Sequence, residues 1–181
     1  MEQTINVTRN LPGEEDVRLL LETALTPCSI VMHQRVVAGV ALKIGLAYAS
    51  RKSVDLPLLC AAANLHDIKK TEPSHAKRGA EFLEKNGYPE VAEVIRGHTN
   101  IRLKNACVET KLLYLADKYV AGLKVVPLYD RINRIKEKLA SSKPNRPILI
   151  NALSRMEIAR KIEKSVEKTT EIPSLSRYIL S

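Results

Sequence analysis

Apolar residues recur at three- and four-residue intervals along most of this chain, and long stretches contain neither glycine nor proline. That period predicts helices nearly throughout. Residues 1–12 read as an irregular lead-in ending at Pro12-Gly13. Glu14 to Leu25 reads as a short helix with acids in its first turn, where the macrodipole favours them, and it should stop near Thr26-Pro27. A long helix is expected from Ser29 to Ser50, with Val37, Val40, Ala41, Ile44, Ala47 and Tyr48 facing inward. The next should run from Leu56-Pro57, with proline in the first turn, to His66. A polar loop follows over residues 67–74. Further helices are expected from His75 to Asn86, from Pro89 to Gly97, from Ala106 to Val126 and, with a basic face, from Leu128 to Ser141. Ser141 to Pro147 is the clearest linker, and Ile148 to Lys168 reads as a last amphipathic helix before a short tail. No strand-like alternation and no internal repeat stands out. The expected fold class is all-α.

Composition narrows the picture. With 181 residues, 45% of them apolar, the chain can build one buried core and is no disordered segment. No apolar run approaches the roughly 20 residues of a bilayer-spanning helix. Glu2 and the acids at 14–16 leave no basic leader, so a secretory signal is not expected. Cys28, Cys60 and Cys107 are odd in number, sit among apolar residues and lack metal-type spacing. They read as free buried thiols in a reducing cytoplasm.

The net charge of +9 is unevenly placed: residues 131–168 hold 11 basic and 4 acidic side chains, whereas residues 1–130 hold 17 and 15. Two readings of the basic segment remain open. Its helices either pack on the domain with charged outer faces, which is favoured, or recruit an anionic partner such as nucleic acid or an acidic protein through phosphate-type contacts.

The chemistry lies in the four histidines and two aspartates. His33 precedes Val37 by four residues, so it shares that helix's apolar face. His66 follows Leu59 and Ala62 by seven and four. His98 completes the series Val91, Val94, Ile95, and Asp117 lies four after Leu113. Ligand-type groups thus point inward from four helices. Burying such groups costs several kcal/mol unless they are compensated. A divalent cation would offset all of them at once. Asp67, adjacent to His66 at a helix end, has two oxygens and can bridge two ions. His75 lies across the polar loop.

The order His33, His66-Asp67, His75, His98, Asp117 resembles the signature of the HD-domain phosphohydrolase superfamily. Leu65-His66-Asp67-Ile68-Lys69-Lys70 is similar to its "LHDIGK" core, His75 to Ala80 to its second-metal histidine entering a helix, and Leu113 to Lys118 to its "YLADK" segment. Lys69 departs from the usual glycine, and the "GYP" and double-histidine features of cyclic-di-GMP phosphodiesterases are missing. The resemblance implies a single helical bundle over residues 28–126, preceded by a lead-in and short helix (1–27) and followed by a basic helical extension (127–181). It implies that His33, His66, Asp67 and Asp117 hold one ion, and that His75 and His98 hold a second with Asp67 bridging. Iron, manganese, cobalt, nickel, zinc and magnesium all remain open. The expected activity is metal-assisted hydrolysis of a phosphate ester or anhydride, with Asp67 and Lys70 as catalytic residues and Lys69, Lys77, Arg78 and Lys118 as weaker phosphate contacts. A nucleotide is the expected substrate, in the manner of compact bacterial hydrolases of dinucleoside tetraphosphates. Alternatives are a metal-stabilised binding module and, as a small minority of the family, di-iron oxidation of a C–H or C–P bond.

Overall fold

The stripe Val37, Val40, Ala41 and Ile44 is buried at the centre of the molecule, and the helix that carries it, α2 (Cys28–Ala49), is the axis on which the others pack. The computed structural model describes residues 10–141 and 145–181. The lead-in expected over residues 1–9 and the linker residues 142–144 lie outside them. Before α2 comes α1 (Glu14–Thr23), whose start is closed by the Asp16 carboxylate accepting from the Gly13 N–H at 2.9 Å. After it come α3 (Leu56–Leu65), α4 (His75–Lys85), α5 (Pro89–Arg96) and α6 (Val108–Tyr119). α3 begins with Asp55 accepting from the Leu58 N–H at 2.9 Å and with Pro57 in its first turn.

α2 packs on α3 and α6, α3 also meets α5, and α4 packs on α5. The core they enclose is made of large aliphatic residues such as Leu59, Leu65, Ile68, Leu83, Ile95 and Leu113. At Gly45 the α2–α3 approach is close: a Cβ there would meet the ends of Leu56 and Leu59 at 2.8 and 2.9 Å.

Three boundaries differ from the sequence reading. The helix expected to reach Val126 ends at Tyr119. Val120 turns extended, and strands β1 (Val120–Ala121) and β2 (Lys124–Val125) pair antiparallel around Gly122, which sits at φ +64°. The apolar run Tyr119-Val120 … Val125-Val126 suits either period, and β-branched valines flanking a left-handed glycine favour the hairpin. The linker residues Arg146 and Pro147 already belong to the first turn of α8 (Arg146–Thr170), which follows α7 (Leu128–Ser141). The expected tail contains a further helix, α9 (Leu175–Leu180), capped by Ser174 and buried through Leu175 and Ile179.

Two further readings change. α2 is, by length and composition, long and apolar enough to cross a membrane. In the structure its apolar face is spent on the core. All three thiols are free, but Cys28 and Cys107 are exposed rather than buried. Cys107 caps α6, its Sγ accepting from the Thr110 N–H.

The architecture is an all-α bundle with extra C-terminal helices: α7 and α8 pack on each other, and α8 returns to lie against α6. The face where the ends of α3 and α6 meet the starts of α2 and α4 is where the polar residues of the core collect.

Candidate metal centre

Each candidate ligand is placed by a helix terminus or an inward stripe. His33 stands on the second turn of α2, His66 directly follows α3, Asp67 begins the loop after it, His75 opens α4, His98 lies just past α5, and Asp117 is in the last turn of α6. The structure brings all six together. His66, Asp67 and His98 are at most 1% exposed, whereas His33, Asp117 and His75 are partly exposed. The rings form a row: centroids are 5.7 Å apart for His33 and His66, 5.1 Å for His66 and His98, and 5.3 Å for His98 and His75.

The tautomers follow from the main chain. His33 Nδ1 faces the Gly122 carbonyl at 2.8 Å, His66 Nδ1 the Ala63 carbonyl at 2.8 Å, and His98 Nδ1 the Ile95 carbonyl at 2.6 Å. A carbonyl only accepts, so Nδ1 carries the proton in each ring and a neutral ring keeps its lone pair on Nε2. Those Nε2 atoms all turn to the aspartates. His33 Nε2 is 3.3 Å from Asp117 Oδ1; His98 and His75 Nε2 are 3.3 and 3.2 Å from Asp67 Oδ1; His66 Nε2 lies between the two carboxylates, 3.5 Å from Asp67 and 3.7 Å from Asp117.

Lone pairs and carboxylate oxygens facing each other at these distances need something positive between them. Protons can supply part of it: the Asp117 hydrogen bond pushes the His33 ring up from its ordinary value. Burial works the other way at His98 and pushes its ring down, towards the neutral form. Among the described residues, the buried Nε2 atoms of His66 and His75 have no hydrogen-bond partner. Burial alone would raise both carboxyls. The His75 and His98 rings beside Asp67, and the charge of Lys118 with the rings of His33 and His66 at Asp117, outweigh it and hold both well below the usual carboxylate range.

Orphaned imidazole nitrogens beside ionised carboxylates fit a divalent cation. Two sets have the required convergence: His33, His66 and Asp117, and His66, Asp67 and His98. His66 belongs to both, and His75 joins neither but adjoins the second through Asp67.

Around this cluster lies a cavity of about 650 Å³ whose wall includes Lys70, Lys118, Arg131 and Arg155 among apolar residues such as Ile30 and Met156. Lys70 Nζ is 3.0 Å from Asp67 Oδ2 and part-exposed. Lys118 pairs with Asp117 and lies over the Tyr114 ring at 4.7 Å. Lys69 instead pairs with Glu72 at 3.2 Å, Lys77 is exposed and lies near Glu81, and neither they nor Arg78 line the cavity.

Four contributors escaped the sequence reading. Gln34, 1% exposed, accepts from the Asp67 N–H at 2.9 Å and so fixes the start of the loop. Gly122 anchors His33. Arg131 donates to the carbonyls of Lys118 and Val120 at 2.7 and 2.8 Å and braces the end of α6. Arg155 comes from α8. Only the last had a readable signal: Ala152, Arg155, Met156 and Ala159 make an i, i+3, i+4, i+7 stripe with a cation in it.

Among known proteins, the family model described as HD domain matches residues 30–122. No curated protein and no solved structure matches the chain.

Proposed function

The chain belongs to the HD-domain family, and from that membership we propose that it is a metal-dependent hydrolase of a phosphate ester or anhydride, acting on a nucleotide or a related small phosphorylated compound. The family and the His/Asp clusters support a metal-dependent hydrolase in general. The observation that carries the reading is the pair of buried Nε2 atoms, on His66 and His75, that lack any partner while facing ionised Asp67 and Asp117. In this reading His33, His66, Asp67 and Asp117 would hold one divalent ion, and His75 and His98, together with Asp67, would hold a second.

The phosphate assignment rests on the charge of the cavity. Phosphate brings negative charge, and Lys70 and Lys118 stand at the cluster with Arg131 and Arg155 further along the same wall. The size, about 650 Å³, falls within the ~300–1,000 Å³ usual for small-molecule sites. Apolar Ile30, Met32, Leu123 and Met156 supply a surface for the non-phosphate part of the substrate.

A bound divalent ion would supply Lewis acidity towards water and a phosphoryl oxygen. The protein's own groups do the rest. The Nδ1–H bonds to main-chain carbonyls fix three rings of the row, those of His33, His66 and His98, so their Nε2 lone pairs are aimed before any ligand arrives. Asp67 and Asp117 stay ionised through the neutral range and offer acceptor oxygens to the cavity that they line. Lys70, its Nζ beside Asp67 Oδ2, presents positive charge to the phosphoryl group.

The test offers purified protein loaded with manganese, iron, cobalt or nickel a generic phosphodiester and a nucleotide panel. Turnover that a chelator abolishes and added metal restores is the expected result. No turnover with any metal and substrate pair, together with salt-sensitive nucleic-acid binding, would replace this reading with that of a binding module.

A further inference from the structure

α8 lies outside the family-matched residues 30–122, yet it forms one wall of the cavity that holds the candidate metal centre: Ala152, Arg155 and Met156 line the same space as His33, Asp67 and Asp117. The placement is anchored. The Tyr114 hydroxyl donates to the main-chain carbonyl of Arg155 at 3.0 Å. Burial pushes the Tyr114 phenol up to about 12, so it keeps the proton it donates. Tyr114 is three residues before Asp117 on α6, less than one turn of ~5.4 Å pitch, so Arg155 is tied down close to a candidate ligand.

The other three cations of the cavity are engaged. Lys70 meets Asp67, Lys118 meets Asp117, and Arg131 donates to main-chain carbonyls. Arg155 has no hydrogen-bond or ion-pair partner for its guanidinium among the described residues, and its Nε is buried without one. A buried guanidinium N–H left without an acceptor is costly, although the residue as a whole is only half-buried. It is also the state expected of a group whose partner arrives with the substrate, because a guanidinium offers a rigid fork of donors matched to phosphoryl oxygens.

We infer that Arg155 is a specificity-determining residue that binds a phosphoryl group of the substrate beside the metal centre. The C-terminal extension thereby completes the substrate site rather than only covering the bundle. The inference rests on the phosphate reading above and narrows it, since the family domain alone would lack this contact.

The probe is inorganic phosphate, titrated calorimetrically into metal-loaded wild type, Arg155→Ala and Arg155→Lys, with metal content and Tm measured on each. Wild type should bind phosphate. Arg155→Ala should bind at least tenfold more weakly with unchanged metal content and a Tm no lower than wild type, because only the main-chain carbonyl of Arg155 holds Tyr114. Arg155→Lys should recover part of the affinity, as it keeps the charge and loses the fork. On any substrate that is turned over, Arg155→Ala should raise KM more than it lowers kcat. Equal phosphate affinity in wild type and Arg155→Ala, no phosphate binding by wild type, or a Tm loss with affinity intact would each overturn the inference. If wild type binds phosphate through Arg155 but hydrolyses nothing, the hydrolase reading fails and the role of Arg155 stands.

Discussion

Both oxygens of Asp67 are shared: Lys70 Nζ reaches Oδ1 at 3.2 Å and Oδ2 at 3.0 Å, while Oδ1 also meets the His75 and His98 rings and Oδ2, more distantly, His66. Replacing it by alanine removes the carboxylate that three of the four rings, His66, His75 and His98, face. Asp67→Ala should retain less than a tenth of the wild-type metal, read by elemental analysis. It should also lose about 3–5 kcal/mol of stability in the holo protein, the usual cost of breaking a buried charged network. Unchanged metal content and Tm would remove Asp67 from the centre. Lys70 is its counterpart at the mouth, part-exposed and touching the cluster only through Asp67. Lys70→Ala should therefore leave metal content and Tm close to wild type while lowering kcat/KM roughly tenfold, about the worth of one charge-assisted hydrogen bond. Unaltered kinetics would exclude it from substrate contact.

Among the elements, the hairpin after α6 carries the most function for its size. Its Gly122 carbonyl orients His33, and that glycine sits in the left-handed region with nothing within 4 Å of a would-be Cβ. A side chain there meets backbone strain and no clash. Gly122→Val should cost about 1–2 kcal/mol. By loosening His33 it should weaken metal binding roughly 10–100-fold, the usual effect of losing a group that orients a ligand. Gly39→Ala is the control: that glycine also has open space but lies inside α2, where alanine should stabilise by about 0.5–1 kcal/mol and leave metal affinity alone. Equal metal affinity in Gly122→Val and wild type would show that His33 needs no such support. The contrast between hairpin and helices also shows what could be read from the sequence. His33, His66, His98 and Asp117 were readable because each sits on or just past an apolar stripe whose period fixes its direction, as with Val91, Val94, Ile95 and His98, whereas His75, across a polar loop, was identified by the resemblance. The hairpin was hidden because Val120 and Val125 satisfy both periods, and α9 because a six-residue helix stands on burial of Leu175 and Ile179 rather than on its own pattern. Gln34 and Arg131 act through main-chain atoms of distant residues, a relation that no local spacing encodes.

At the scale of the molecule, the bundle and its C-terminal helices are joined at points away from the site. Arg51 at the end of α2 pairs with Glu171 at 2.7 Å, and Lys43 donates to the Ile179 carbonyl at 3.3 Å. Because the ligands come from α2, α6 and the loops after α3 and α5, an ion bound among them ties most of the bundle together. Chelation should lower Tm by roughly 5–10 °C, since saturation at 100-fold over Kd is worth about 2.7 kcal/mol and a chain of this length shifts about 2–4 °C per kcal/mol. An unchanged Tm after verified metal removal would contradict that coupling.

The innermost joint is Glu163 on α8, which accepts from the Tyr119 hydroxyl at the end of α6 and from Ser176 Oγ of α9 at 3.1 Å. Burial pushes the Glu163 carboxyl up from its ordinary value, only partly opposed by those two hydroxyls. A carboxyl raised on folding binds its proton more tightly in the native state. Its contribution to stability is therefore fully present below the unfolded value, near 4.5, and is lost as pH rises through the higher folded value. Glu163→Gln keeps an oxygen to accept both hydroxyls and has nothing to ionise. Denaturant unfolding of the two proteins from pH 4 to pH 7 should show the variant gaining on wild type as pH rises, while the titrations of Asp67 and Asp117, common to both, cancel in the difference. A stability difference that stays flat across this window, or slopes the other way, would mean that Tyr119 and Ser176 fully compensate the buried charge. The joint between α6, α8 and α9 would then be an ion-tolerant contact rather than one that resists ionisation.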